Sequence, residues 1–86
     1  MSPQNTVREK DMPNENKEVI HKAIAANLDA LSHRLSQAAL LAKEAQQAMV
    51  AGQQNQAIGT VLEFERILPE AQALFNAAMA LHRNHP

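Results

Sequence analysis

Asp29, His33 and Ser36 carry the residue types of a hydrolytic triad, and their spacing of four and then three places them on one helix face. The chemistry would be a carboxylate orienting an imidazole that takes a proton from a hydroxyl. It requires a pocket, oxyanion donors and exclusion of water. These residues lie opposite the apolar seam of their own helix, where an Asp–His pair one turn apart is a solvated surface contact. Catalysis is therefore not expected, and no cofactor is implied.

The histidines offer a second possibility. His21 stands near the start of one helical stretch, while His82 and His85 lie three apart near the end of another. An antiparallel arrangement brings all three to one end. Neutral imidazoles there could hold zinc, nickel or copper, or could act as a proton switch as pH falls through about 6.5. No cysteine or carboxylate completes the set, and helix ends collect histidine because it complements the C-terminal dipole. Metal binding is not expected.

The basic residues Arg8, Lys10, Lys17, Lys22, Arg34, Lys43, Arg66 and Arg83 are scattered among acidic neighbours, and no aromatics interleave them. Eight basic against nine acidic residues give a net charge of −1, which attracts neither phosphate backbones nor anionic membrane. Only a small basic patch of Arg34 and Lys43 is conceivable. The two glycines, Gly52 and Gly59, form no phosphate-cradling loop. Residues 1–16 read MSPQNTVREKDMPNEN, without the apolar segment of a secretory signal, and no apolar run approaches the length of a membrane span. With no cysteine at all, the expected setting is the cytoplasm.

The elements that position these residues follow from periodicity. Residues 1–16 have nothing to bury and are expected to be a disordered polar tail, leaving 17–86 as a single helical domain. From Lys17 to Ala51 there is no proline or glycine, and strong helix formers dominate, with Asn14 or Asn16 available as a cap. Ile24, Leu28, Leu31, Leu35, Ala38, Ala42, Ala45 and Met49 recur at alternating spacings of four and three, the signature of a helix–helix seam. Gly52 ends the stretch and Asn55 is placed to cap the next. Ala57, Val61, Phe64, Leu68, Ala71, Phe75 and Ala78 continue the period, widened by Ile67, Leu74 and Leu81. Pro69 predicts a kink or restart, because its ring cannot bond the carbonyl of Glu65.

The expected fold is all-α: an antiparallel helical hairpin kinked or split at Pro69, with two or three helices. Counting from the turn pairs Ala45 with Leu62, Ala42 with Phe64 or Glu65, Ala38 with Leu68 and Pro69, and Leu31 with Phe75. One hairpin is not enough. In Ala71–Leu81 only Gln72 and Asn76 are polar, so this helix must be covered by more than one neighbour. Alanine supplies 16 residues of the chain, which thins any core that two helices can build. A two-fold dimer of hairpins, a four-helix bundle, is the economical answer. Its interface, or that with another protein, is expected at Leu28, Leu31, Leu35, Leu41, Phe64, Leu68, Leu74, Phe75, Met79 and Leu81.

A hairpin with a short polar turn, small seam residues and a two-fold partner resembles the architecture of Rop-type dimeric bundles, although their basic RNA-facing surface is not reproduced. Gly52, Ala57 and Pro69 are also similar in spacing to the turn glycine, small helix-B residue and closing proline of a tetratricopeptide repeat, with Phe75 at the first large position of a following helix. That resemblance implies a peptide- or protein-binding module. The functional expectation is a small non-enzymatic homodimeric adaptor or regulator. The alternatives are a chaperone-like helical module for a foreign partner, or a nucleic-acid-associated regulator. Removing residues 1–14 is expected to leave the melting temperature, followed by circular dichroism, within about 4 °C of the full chain's; a larger fall would show that the tail is structural.

Overall fold

The computed structural model describes the backbone over residues 2–84 and the side chains over residues 16–84. Three helices follow one another: α1 (Ser2–Val50), α2 (Gln54–Val61) and α3 (Phe64–Asn84). The described residues contain no strand. The α1 helix packs along both α2 and α3, so the fold is an all-helical hairpin. Its backbone is helical from Ser2, ahead of the Asn14 or Asn16 cap read from the sequence. The tail expected to be disordered has its side chains through residue 15, like all of His85, outside the described residues.

The turn is built by Gly52. Its φ of +78° is the left-handed conformation that ends a helix. The Gln53 N–H donates to the Ala48 carbonyl at 2.8 Å and the Gly52 N–H to that of Met49 at 2.9 Å, satisfying two carbonyls at the end of α1. Gln53, rather than Asn55, is the N-cap of α2, and its side chain makes no capping bond. The turn is therefore tighter than the sequence suggested, and the register shifts. Ala45 shares a buried cluster with Ala48 and Ala57, against which Val61 packs, whereas its expected partner Leu62 is exposed.

The break in the second arm lies at Leu62–Glu63, and α3 runs through Pro69 without the expected split. Pro69 sits inside α3. The cause of the break is upstream. Gly59, Thr60 and Val61 are weak helix formers, and the Thr60 hydroxyl donates back to the Gln56 carbonyl at 2.9 Å, which loosens the ladder. The Glu65 and Arg66 N–H groups then reach back three residues, to Leu62 and Glu63, before Ile67 restores the four-residue bond to Glu63. Pro69 is the sixth residue of α3, so the carbonyl it deprives, that of Glu65, belongs to the first turn. A helix that begins this close to its proline loses little by it. The continuous α3 also removes the helix boundary on which the likeness to a tetratricopeptide repeat rested.

The fully buried part of the seam is almost entirely alanine. Ala38, Ala45, Ala48, Ala57, Ile67, Ala71 and Ala78 are the buried apolar residues among those described, and Ile67 alone is large. Methyl groups let the helices approach closely, yet each contributes only roughly 0.8 kcal/mol on burial. The radius of gyration is 20.9 Å, against about 12 Å for a compact chain of this length. Among the described residues no helix is long and apolar enough to cross a membrane.

The two glycines respond oppositely to the same substitution. A Cβ at either would meet nothing within 4 Å, so backbone conformation alone decides. Gly52→Ala is expected to cost about 1–2 kcal/mol, from its left-handed φ. Gly59→Ala is expected to stabilise α2 by about 0.5–1 kcal/mol. Urea denaturation of the two variants should give shifts of opposite sign.

Candidate functional site

Two apolar rows run side by side along α1, and the hairpin covers the less apolar of them. Both share Ile24, Leu31, Ala38 and Ala45. The row folded toward α2 and α3 adds Ile20, Asn27, Arg34, Leu41 and Ala48, whereas Leu28, Leu35, Ala42 and Met49 face outward. The second arm repeats the pattern. Ala57, Val61, Phe64, Ile67, Ala71, Leu74, Ala78 and Leu81 turn toward α1, leaving Leu68 and Phe75 outside. The expected seam of α1 thus has half its members on each side, while in the second arm only Leu68 and Phe75 leave it. The row read as flanking (Ile67, Leu74 and Leu81) packs as well, and supplies the large residues of the seam on α3.

Polar groups explain the choice. Asn27 closes on its own helix, its amide donating to the Ala23 carbonyl at 2.9 Å. Arg34 reaches across to α3, with Nε 2.9 Å from Glu70 Oε1. That contact lacks the alignment of a hydrogen bond and is an ion pair. Glu70 also accepts from Arg66 at 3.3 Å, and Arg66 donates to Glu63 at 2.9 Å. The Glu63 hydrogen bond, joined by the charges of Glu70 and Glu63 and opposed by desolvation, holds the Arg66 guanidinium above the ordinary arginine value. Four alternating charges thereby tie α1 to the start of α3. Arg34 is consequently engaged in the seam, and the small basic patch of Arg34 and Lys43 does not form.

The outward rows of the two arms share one face. A groove of about 420 Å³ is lined by Leu31 and Leu35 from α1 and by Leu68, Ala71, Gln72 and Phe75 from α3. A second hollow beside it is lined by Leu28, Leu31, Ser32, Leu35, Ser36 and Ala39. No charged side chain lines either. Gln72, at the edge, donates its amide to Asn76 at 2.9 Å. Leu28, Leu35, Leu68 and Phe75 retain 48%, 50%, 49% and 45% of their surface in solvent, although all are large and apolar. Of the other residues expected at an interface, Leu31, Leu41, Phe64, Leu74, Met79 and Leu81 are partly covered within the hairpin.

The chemical constellations are dispersed. Asp29, His33 and Ser36 are all exposed on α1. His33 Nδ1 lies 2.9 Å from the Asp29 backbone oxygen and 3.9 Å from its carboxylate, a local contact on an open surface. His21 lines a surface hollow with Lys17, Glu18 and Lys22, and His82 is exposed near the end of α3. Among the described residues no group of three His, Cys, Asp or Glu side chains is placed to hold a metal ion.

No family model matches the chain, and neither a curated protein nor a solved structure matches it.

The Arg34 and Glu70 side chains are 39% and 40% exposed, and pairs open to solvent contribute about 0–1 kcal/mol. Arg34→Met, which keeps the aliphatic stem in the seam, is therefore expected to change the unfolding free energy by no more than about 1 kcal/mol in chemical denaturation. A loss of about 3 kcal/mol or more would place this pair in a fully buried setting.

Proposed function

We propose that this protein is a small non-enzymatic helical adaptor or regulator that acts through protein contacts, and that it does so as a homodimer whose two hairpins form a four-helix bundle. The observation that carries this reading is the uncharged apolar face of Leu28, Leu35, Leu68 and Phe75, left open beside a seam of alanines. A monomer free to choose would bury its more apolar row. Here that row is outside and Asn27 and Arg34 are inside, which is the economical arrangement only when the outer face is covered in turn.

A second copy is the occupant we propose. An interface between identical faces must be self-complementary, and an uncharged patch does not repel its own image. A chain with so little core also needs a partner present whenever it is itself present, which another copy guarantees. The solvated Asp29–His33 contact and the dispersed histidines support a non-catalytic role.

At micromolar concentration, sedimentation is expected to give about twice the 9.5 kDa chain mass. Phe75→Asp or Leu35→Asp, each placing a charge in the face, should weaken association by at least about tenfold or unfold the chain. A well-folded wild-type monomer would sink the homodimer and shift the reading to a module whose face awaits a foreign helix.

A further inference from the structure

We infer that the face taken by the second copy runs on past the groove to the turn, so that Met49, Ile58 and Leu62 are buried in the same interface. This inference rests on the homodimer reading.

Helix geometry places these three residues. Glu44, Gln47, Gln53, Gln56 and Thr60, with Ala48, line a polar hollow of about 300 Å³ where α1 meets α2. Met49, Ile58 and Leu62 each stand two residues beyond a member of that hollow: Gln47, Gln56 and Thr60. Leu62, the C-cap of α2, keeps a helical backbone. Two residues are about 200° of helix, so all three turn to the other side of the hairpin.

That other side is the one with the groove. Leu35 and Met49 are fourteen residues apart on α1, close to four full turns, and share its outward row. Along that row only Ala42 separates them, so groove and turn end form one surface. Glu65, seven residues before Gln72, takes the same edge position and adds a charge at the rim.

The area needed argues that this whole surface is used. A half-exposed leucine or phenylalanine leaves roughly 100 Å² of apolar surface in solvent. The four large residues at the groove therefore offer roughly 400 Å². A dimer that completes a thin core belongs with obligate interfaces, which bury roughly 1,000 Å² or more on each partner, about 65% of it apolar. The groove alone falls short of that. Met49, Ile58 and Leu62 are 50%, 52% and 55% exposed, and they raise the large apolar contribution to roughly 700 Å². A second copy covers them in either orientation, with its own turn end or with its open end.

Two substitutions in one helix test this. Ile58→Glu puts a charge at the turn end and exchanges a β-branched residue for a stronger helix former, so α2 itself is not weakened. Gln56→Glu puts the same charge on the polar side of α2. In sedimentation, the first is expected to weaken dimerisation at least about tenfold and the second no more than about twofold. Equal effects, or an Ile58→Glu protein that associates like the wild type while Phe75→Asp does not, would confine the contact to the groove and overturn this inference. A folded wild-type monomer would overturn the homodimer itself.

Met49 gives a reading on the unaltered chain, whatever Ile58→Glu does to folding. At concentrations where the protein is dimeric, hydrogen peroxide is expected to oxidise Met49 at least about fivefold more slowly than free methionine in the same sample, followed by mass spectrometry. A slowing nearer the roughly twofold that half-exposure alone gives would leave the turn end in solvent and overturn the inference.

Discussion

Close approach of helices through alanine is the constraint from which the rest of this structure follows. Ala45 and Ala48 of α1 meet Ala57 of α2, and Ala38, Ala71 and Ala78 are buried further along, with Ile67 the one large side chain fully enclosed among the described residues. Such a seam permits tight packing and removes little apolar area from water, since an alanine contributes a single methyl where a leucine contributes roughly 1.5–3 kcal/mol. The large apolar residues that a two-helix core would normally use are displaced to its margins. Leu28, Leu35, Leu68 and Phe75 stand on one outer face. The residues that bring the arms together thus leave a large apolar face in solvent.

Charge selects which arrangement of the hairpin forms. Arg34 occupies a row that would otherwise read as seam, and its ion pair with Glu70 is satisfied only when that row faces α3. The chain of contacts from Glu63 through Arg66 to Glu70 anchors the start of α3, just after the backbone breaks at Leu62–Glu63. A half-exposed pair contributes too little to hold the fold together. It joins the less apolar row to α3, while the more apolar row of Leu28, Leu35 and Met49 stays outside. Asn27 tolerates the same face because it is bonded within its own helix.

The surface left over is divided by chemistry. One side presents uncharged small and large side chains in alternation, suited to packing against another helical layer. The exposed Asp29–His33 contact and His21 lie in open, wet surroundings. There a proton-transfer group or a metal ligand would have neither a dry cavity nor a converging partner. Gly52 has a role beyond joining helices, because the left-handed turn sets the register that brings Leu35 level with Leu68.

Local chemistry made much of this legible in advance. The helical character of the region after Lys17, the glycine-terminated turn, the antiparallel hairpin and the excess of apolar surface are all readable from spacing and composition, because propensity and periodicity act within a few residues. Leu28, Leu35, Leu68 and Phe75 are legible on the same grounds. The sequence could not say which of two adjacent rows faces inward: Leu28 and Asn27, or Leu35 and Arg34, differ by one step around the helix, and the packed hairpin, with Arg34 beside Glu70, shows which. The place of the break was equally hidden. Pro69 is the strongest local signal, yet a helix start at Phe64 puts its lost hydrogen bond in the first turn, while the Thr60 back-bond and the weak run Gly59–Val61 yield instead. Periodicity names the candidates for burial; the energies of groups brought together from distant parts of the chain choose among them.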